Sequence, residues 1–366
     1  MQFIDLKTQY QQYKEEIDAA MHQVLDHGQY IMGPEVESLE EQLAQYVGSR
    51  YVLGVSSGTD APLMALMALG VGPGDEVITT PFSFIATAEV IALLGAKPVF
   101  VDIEPQTYNL DVEQLEAAIT PRTKVIFPVS LFGQMPDFSR INSIADKHGI
   151  AVIEDAAQSF GASQNGKKSC GVSTIGTTSF FPAKPLGCYG DGGAIFTNDE
   201  KLYHHMKALR IHGGEQRDHY EYIGINGRLD TLQAAVLFVK LKYFDQELKL
   251  RQQVADRYNE QLADVCTVPQ TAEGNTHAWA QYTIRVSNRE ALRTALQAHD
   301  IPTAVYYPKC LHQQPAYAYL GNHSGSFPVA EKMADEVVSL PMHPWLKEED
   351  QEVIIRRVKE SLVVPA

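Results

Sequence analysis

The sequence predicts an α/β fold, with a mostly parallel, roughly seven-stranded sheet covered by helices and a smaller C-terminal α+β domain beside it. Three observations carry this. Between residues 51 and 200, short β-branched runs alternate with helix-compatible stretches. Residues 228 to 263 then hold one long helical periodicity, its charged face laced by ion pairs, which reads as a connector between domains. Beyond it, strands and helices return on a smaller scale.

Taken in order, a helical segment at 1–48 leads into the candidate strands 51–55 (YVLGV), 76–80 (EVITT), 98–102 (PVFVD), 124–129 (KVIFPV), 151–154 (AVIE), 177–181 (TTSFF) and 194–197 (AIFT). Each is a short apolar run of the kind a doubly covered strand needs. Helices are expected at 59–70, 84–94, 112–119 and 136–148, several opened by Thr or Asp caps and closed by Gly. The later elements are AQYTIRV at 280–286, a helix at 288–299, TAVYY at 303–307 and a last helix near 347–361. The division expected is a large domain over 1–240, and the connector helix with the small domain over 241–366.

The 366 residues carry 45 Asp+Glu against 30 Lys+Arg, a formal net charge of -15. That balance argues against nucleic acid or an anionic membrane as partner, because both need a basic surface. No run of about 18 apolar residues appears, and Asp5 interrupts any signal-peptide core at the N-terminus. Cys170, Cys188, Cys266 and Cys310 form no CxxC pair. They are expected to be reduced thiols and to bind no metal, so a cytoplasmic protein is expected.

Ligands of open α/β sheets collect at the carboxyl ends of strands. After strand 51–55 comes Ser56-Ser57-Gly58-Thr59-Asp60, a small-residue turn into a helix that suits a phosphate. After 151–154 come Asp155 and Gln158, and Ser179 and Lys184 follow in SFFPAKPLGCYGDGGA. A phosphate cradle, a carboxylate for a protonated ring nitrogen and an amine for an aldehyde are what pyridoxal 5′-phosphate needs. In that reading Gly58, Thr59 and Ser179 hold the phosphate, Asp155 faces the pyridinium and Gln158 bonds the ring hydroxyl. Phe84 stacks on the ring face, and Lys184 is the catalytic amine.

Taken singly, each residue also has a plain structural reading. The serine turn is a helix cap, Asp155 a capped turn, Phe84 core packing and Lys184 a solvated loop residue. Their joint order at successive strand ends is what points to chemistry. A competing motif overlaps them: Gly54-Val55-Ser56-Ser57-Gly58 fits the nucleophile elbow of an α/β-hydrolase, with Asp191 and His212 or His343 as later partners. That alternative gives Lys184, Asp155 and Gln158 no role.

These residues stand in stretches that resemble the DegT/DnrJ/EryC1/StrS sugar aminotransferases, a branch of the fold-type I pyridoxal phosphate enzymes. The matching stretches are GQYIMGPEVESLEEQLAQYVG at 28–48, SSGTDAPLMAL at 56–66, GVGPGDEVITTPFSFIAT at 70–87, IEDAAQSFGA at 153–162, SFFPAKPLGCYGDGGAIFTND at 179–199 and GINGRLDTLQAA at 224–235. The resemblance implies Lys184 as the cofactor-bonding lysine and Asp155 as the pyridinium partner. It further implies a homodimer in which Asn226 reaches the phosphate across the interface and Arg228 faces the sugar. L-glutamate is the implied donor and a nucleotide-linked keto sugar the acceptor, most closely carbon 3 of a UDP-linked 3-keto-N-acetylglucosaminuronate used for bacterial surface polysaccharide. A non-catalytic regulator on the same fold is a further alternative. Tyr306, Tyr307 and His312 are the other candidate substrate contacts, with packing at a domain interface as the plain reading of the two tyrosines.

The charge is unevenly spread. Residues 1–60 hold ten acidic against three basic side chains, and residues 201–257 seven against ten. The acidic excess is therefore expected on the outer surface, with anion binding left to helix N-termini and a few cations.

Overall fold

A computed structural model describes residues 1–366 except 215, 217 and 363–366. Two N-terminal helices, α1 (Leu6–His27) and α2 (Pro34–Val47), precede a sheet built from β1 (Tyr51–Val55), β2 (Glu76–Thr79), β3 (Lys97–Phe100), β4 (Thr123–Ile126), β5 (Ala151–Asp155), β8 (Ile175–Ser179) and β9 (Gly193–Thr197). A two-stranded hairpin, β6 (Ser163–Gln164) with β7 (Lys167–Lys168), lies between β5 and β8. The spatial order is β1-β9-β8-β5-β4-β2-β3. Only β9 runs against its neighbours, pairing antiparallel with both β1 and β8. The seven expected strands are thus the seven of the sheet, with ends shifted by up to three residues.

Helices α3 (Asp60–Ala68), α4 (Ala86–Leu93) and α7 (Glu200–Leu209) cover one face, where Met64, Val90 and Met206 pack on Val55, Val77, Ile153 and Ile175. The short α5 (Val112–Leu115) and α6 (Phe138–His148) pack on the opposite face with Ile78, Ile126 and Val152. Burial on both faces explains why the strands read as apolar runs, and each buried Val or Ile contributes about 1.5–3 kcal/mol. Asp111 and Asp137 cap α5 and α6 by accepting N–H bonds, and Gly149 closes α6 in the left-handed region at φ 65°.

The long helix α8 (Thr231–Leu262) joins two cores. Its first half, with Ala234, Leu237 and Phe244, packs against α2 and Phe160. Its last turns, with Val254, Tyr258 and Leu262, enter a second core around β10 (Tyr282–Arg285), α9 (Arg289–Gln297), β11 (Val337–Leu340) and α11 (Glu348–Leu362). The change of core therefore falls inside the helix. Its charges depart from the solvated face expected: Lys240, Glu247 and Arg251 are buried, with Gln9 of α1 donating to both Glu247 oxygens at 3.0 and 2.8 Å.

In the second region, 303–307 makes a single bridge from Ala304 to Ser339, so the strand expected there is absent. The partner of β10 is instead β11, following helix α10 (Pro328–Glu336). Asp102, at the end of β3, accepts the N–H groups of Val329 and Ala330 and ties α10 to the sheet. The four cysteines are free thiols. No helix among the described residues is long and apolar enough to cross a membrane.

Within the interior, His277 stacks on Trp279 at 3.7 Å, and its Nδ1 accepts the Trp279 N–H at 2.9 Å. Burial pushes its pKa down to about 3, and pushes that of His343 down to about 4. In the unfolded chain both titrate near 6.5, so between those values the unfolded state binds more protons. Their contribution to stability is complete above about pH 6.5 and is lost as pH falls through the folded values. Denaturant unfolding between about pH 6 and about pH 4 should show stability falling with acid, and His277→Asn, which keeps an acceptor, should flatten the slope by about one proton. An unchanged slope would contradict the buried neutral imidazole.

Candidate active site

The register of the sheet assembles the first part of the site. Val55, Gly193 and Ser179 lie side by side across β1, β9 and β8 at one edge. The chain leaving β1 must cross the start of β9 to reach β8, and two glycines make room. A Cβ on Gly193 would lie 2.6 Å from the Ser57 carbonyl oxygen, and one on Gly58 would lie 2.3 Å from Ser179 Cβ. Ser179 is thereby packed on the turn that opens α3. Ser57 Oγ accepts the N–H groups of Thr59 and Asp60 at 3.3 and 3.0 Å, holding that turn at the positive end of the helix. Gly58, Thr59 and Ser179 lie together at this turn, with backbone donors at the start of α3.

Asp155 stands at the end of β5, two strands from β9. Its Oδ2 accepts from Thr87 Oγ1 at 2.8 Å and its Oδ1 from the Ala157 N–H at 3.1 Å. Among the described residues no ion pair engages the carboxylate. Burial raises its pKa, while the Thr87 and Ala157 bonds and the charge of Lys184 act the other way. The preceding Glu154 points to the other side of the strand, fully buried, and accepts from Ser130, Ser169 and the Cys170 N–H at 2.7–2.8 Å. It anchors the strand end from behind.

Lys184 sits in the loop after β8, in a turn closed by its own N–H to the Phe181 carbonyl at 2.8 Å. Burial lowers its pKa, and Asp155 is the charge that offsets this. Phe84 is 54% exposed, with its ring 6.3 Å from that of Tyr307. Gln158 is buried; its Oε1 accepts the Phe132 N–H at 2.8 Å and its Nε2 donates to the Tyr307 hydroxyl at 3.2 Å. The second region thus reaches the sheet edge through Tyr307, seated by the Leu311 N–H bond to the Pro81 carbonyl at 2.7 Å. Tyr306 turns instead toward Phe3.

The remaining candidates separate. Arg228 lies opposite Val55, and the Gly227 carbonyl accepts the Ser56 N–H at 3.0 Å, so the 226–228 segment borders the phosphate-type turn. Arg228 Nε is enclosed without a hydrogen-bond partner, and Asn226 is exposed. His312, expected at the substrate, is instead sealed in packing. It is buried against Phe327, with Nε2 3.1 Å from Glu331, because 3₁₀ turns and α10 close over it. The hydrolase alternative gains no support: Ser56 Oγ donates to Asp60 at 2.5 Å, and His343 is buried.

Thr87 and Ser57 were not singled out in the sequence. Their signals are thin: Thr87 lies three residues after Phe84, in the first turn of α4, and Ser57 is one of two adjacent serines. What the assembled residues can do is specific. A partly buried carboxylate held by two donors suits a cationic ring nitrogen, an amine whose pKa burial lowers suits an aldehyde, and the Gly58–Ser179 turn suits a phosphate. The donor set fits pyridoxal phosphate.

Comparison with known proteins agrees. The sequence model of the DegT/DnrJ/EryC1/StrS aminotransferase family matches residues 11–359. A UDP-2-acetamido-2-deoxy-3-oxo-D-glucuronate aminotransferase of Pseudomonas aeruginosa is 56% identical over 94% of this chain and 96% of its own. A crystal structure of a DegT DnrJ EryC1 StrS aminotransferase from Brucella abortus superposes with a TM-score of 0.97 at 47% identity, over 100% of both chains. A Bacillus subtilis protein solved with bound cofactor PMP gives a TM-score of 0.90 at 33% identity, over 98% of this chain and 83% of that one.

Because Gly58 and Ser179 are in contact, Gly58→Ala should weaken pyridoxal phosphate binding by at least about tenfold, a loss of about 1.4 kcal/mol. The pair Gly58→Ala with Ser179→Gly should regain part of it, since the colliding Cβ is gone. Equilibrium binding followed by absorbance checks this, and a double variant no better than the single would contradict the packing argument.

Proposed function

The chain belongs to the DegT/DnrJ/EryC1/StrS aminotransferase family and is a pyridoxal-phosphate-dependent sugar aminotransferase; on that premise we propose its substrates. The donor is L-glutamate, and the acceptor is carbon 3 of UDP-3-keto-N-acetylglucosaminuronate, made for bacterial surface polysaccharide. The observation that carries the acceptor is the relationship to the Pseudomonas aeruginosa glucuronate enzyme, which extends over nearly all of both chains. The four free thiols support a cytoplasmic setting.

When bound, pyridoxal phosphate supplies an aldehyde that exchanges amines and a ring that draws off the electron pair freed at the substrate carbon. The chain's own residues do the rest. Gly58, Thr59 and Ser179 hold the phosphate through backbone donors and the α3 terminus, joined by Asn226 from the second subunit of a homodimer. Asp155, kept in place by Thr87 and the Ala157 N–H, holds a proton at the ring nitrogen. Phe84 covers one ring face, and Gln158, fixed by Phe132 and Tyr307, meets the ring hydroxyl. Lys184 moves the proton between carbons. Burial lowers the pKa of its amine, with the Asp155 charge acting the other way, and the lowering favours the free electron pair that the transfer needs.

Arg228 supplies the fixed cation for the acceptor, with its fork suited to a uronate carboxylate. Tyr307, beside Gln158 and Phe84, walls the sugar side. In this arrangement the acidic chain binds anions only at a few built points.

Borohydride should fix the cofactor mass on the peptide containing Lys184, and Lys184→Ala should lose both this and transamination; full activity in that variant would refute the assignment. With glutamate present, the UDP-3-keto uronate should be aminated with a kcat/KM at least about a hundredfold above the analogue bearing a C6 hydroxyl. Arg228→Gln should erase most of that preference. Equal use of both sugars by the unaltered enzyme, with the product followed by mass spectrometry, would exclude the uronate as the selected acceptor.

A further inference from the structure

The loop that carries Lys184 is closed at its neck. The Cys188 N–H bonds the Phe180 carbonyl at 2.8 Å, and a Cβ on Gly187 would lie 2.5 Å from the Pro182 carbonyl oxygen. Residues 180–188 are therefore folded back on themselves with Lys184 near the turn. Their returning limb, Gly187 to Gly190, is gripped by one face of α8. Lys240 Nζ donates to the Gly187 carbonyl at 2.7 Å and lies 4.3 Å from the centre of the Tyr189 ring. One helical heptad earlier, Gln233 Oε1 accepts the Tyr189 N–H at 2.8 Å, and Gln233 Nε2 would lie 2.9 Å from a Cβ on Gly190.

Lys240 is 1% exposed, and burying an ammonium is costly unless its donors are used. Burial pushes it down to about 8, with Glu247 and Cys188 acting the other way. An apolar side chain would fill the same volume without that cost. The charge that acts on Lys184 is Asp155, so an effect of Lys240 on Lys184 has to pass through the loop backbone.

We propose that Lys240, assisted by Gln233, is a positioning residue for Lys184: it fixes the returning limb of the loop so that the Lys184 amine is aimed at the cofactor aldehyde. This rests on the cofactor reading given above. Lys184 gains a bond only with the aldehyde form of the cofactor, its nitrogen joining the aldehyde carbon as water leaves; the amine form, pyridoxamine phosphate, has no aldehyde for it. A loop that aims Lys184 badly therefore weakens one ligand and spares the other, whereas a general packing defect weakens both.

The test is equilibrium binding of pyridoxal phosphate and of pyridoxamine phosphate to the full-length apoprotein, followed by absorbance and by tryptophan fluorescence. Lys240→Met should weaken pyridoxal phosphate by about tenfold or more, the scale of one charge-assisted hydrogen bond, and pyridoxamine phosphate by no more than about twofold. Gln233→Leu, which removes no buried charge and so spares the fold, should shift the same ratio in the same direction by a smaller factor. Equal weakening of both ligands, or of neither, in a protein whose unaltered form binds both would overturn the proposal alone. An unaltered protein that binds neither ligand would overturn the cofactor reading and the proposal with it.

Discussion

A carboxylate partly withdrawn from water is a demanding arrangement, and Asp155 is held in it with Lys184 as the charge that acts on it. Two donors, Thr87 and the Ala157 N–H, fix its oxygens, and Glu154 pins the same strand end from the opposite side through three bonds. Desolvation favours the neutral acid, so the ionised form is stabilised fully only when a positive group arrives. The rest of the site surrounds that requirement. The Gly58–Ser179 turn, the ring of Phe84 and the low-pKa Lys184 amine all open toward the same edge of the sheet, because β1, β5 and β8 point their ends the same way.

That edge exists because a β-strand has been protected rather than left open. β1 borders the sheet and pairs only with β9, yet its free side is occupied. Glu40 accepts the Gly54 N–H at 2.7 Å, Arg210 donates to the Gly54 carbonyl at 2.9 Å, and the two side chains meet at 2.5 Å. Farther along, Gly227 accepts from Ser56. An edge strand would otherwise offer unpaired backbone groups to another chain. The same bonds set the 226–228 segment beside the phosphate-type turn, so edge protection and site assembly share one set of contacts. Glu40 also corrects the expectation that the acidic excess of the first sixty residues lies on the outer surface: this one is turned inward, onto Arg210, which is itself buried.

The strands and their end residues were legible because both are written locally. A doubly covered strand is an apolar run, and polar residues that follow it mark its carboxyl end, which is how Asp155, Gln158 and Lys184 could be named as candidates without coordinates. What escaped was set by distant contacts. His312 was expected at the substrate, but Glu331 and Phe327 close over it. The stretch 303–307 had strand-like residues, yet β11 takes the place beside β10. Lys240, Glu247 and Arg251 have the spacing of a charged helix face, and the Lys184 loop over Lys240, α1 over Glu247 and the Trp279 carbonyl at Arg251 turn that face inward. Charge spacing on a helix identifies a stripe, and the neighbours decide whether the stripe is wet.

The central claim is that Asp155 and Lys184 form the two ends of one cofactor site. Its most direct test is a crystal structure of the chain with pyridoxal phosphate. The account predicts continuous density from Lys184 Nζ to the cofactor, a ring nitrogen at about 3 Å from an Asp155 oxygen, and the phosphate seated against Gly58 and Ser179. A ring nitrogen facing any other group, or a cofactor bound away from the β5 end, would contradict it.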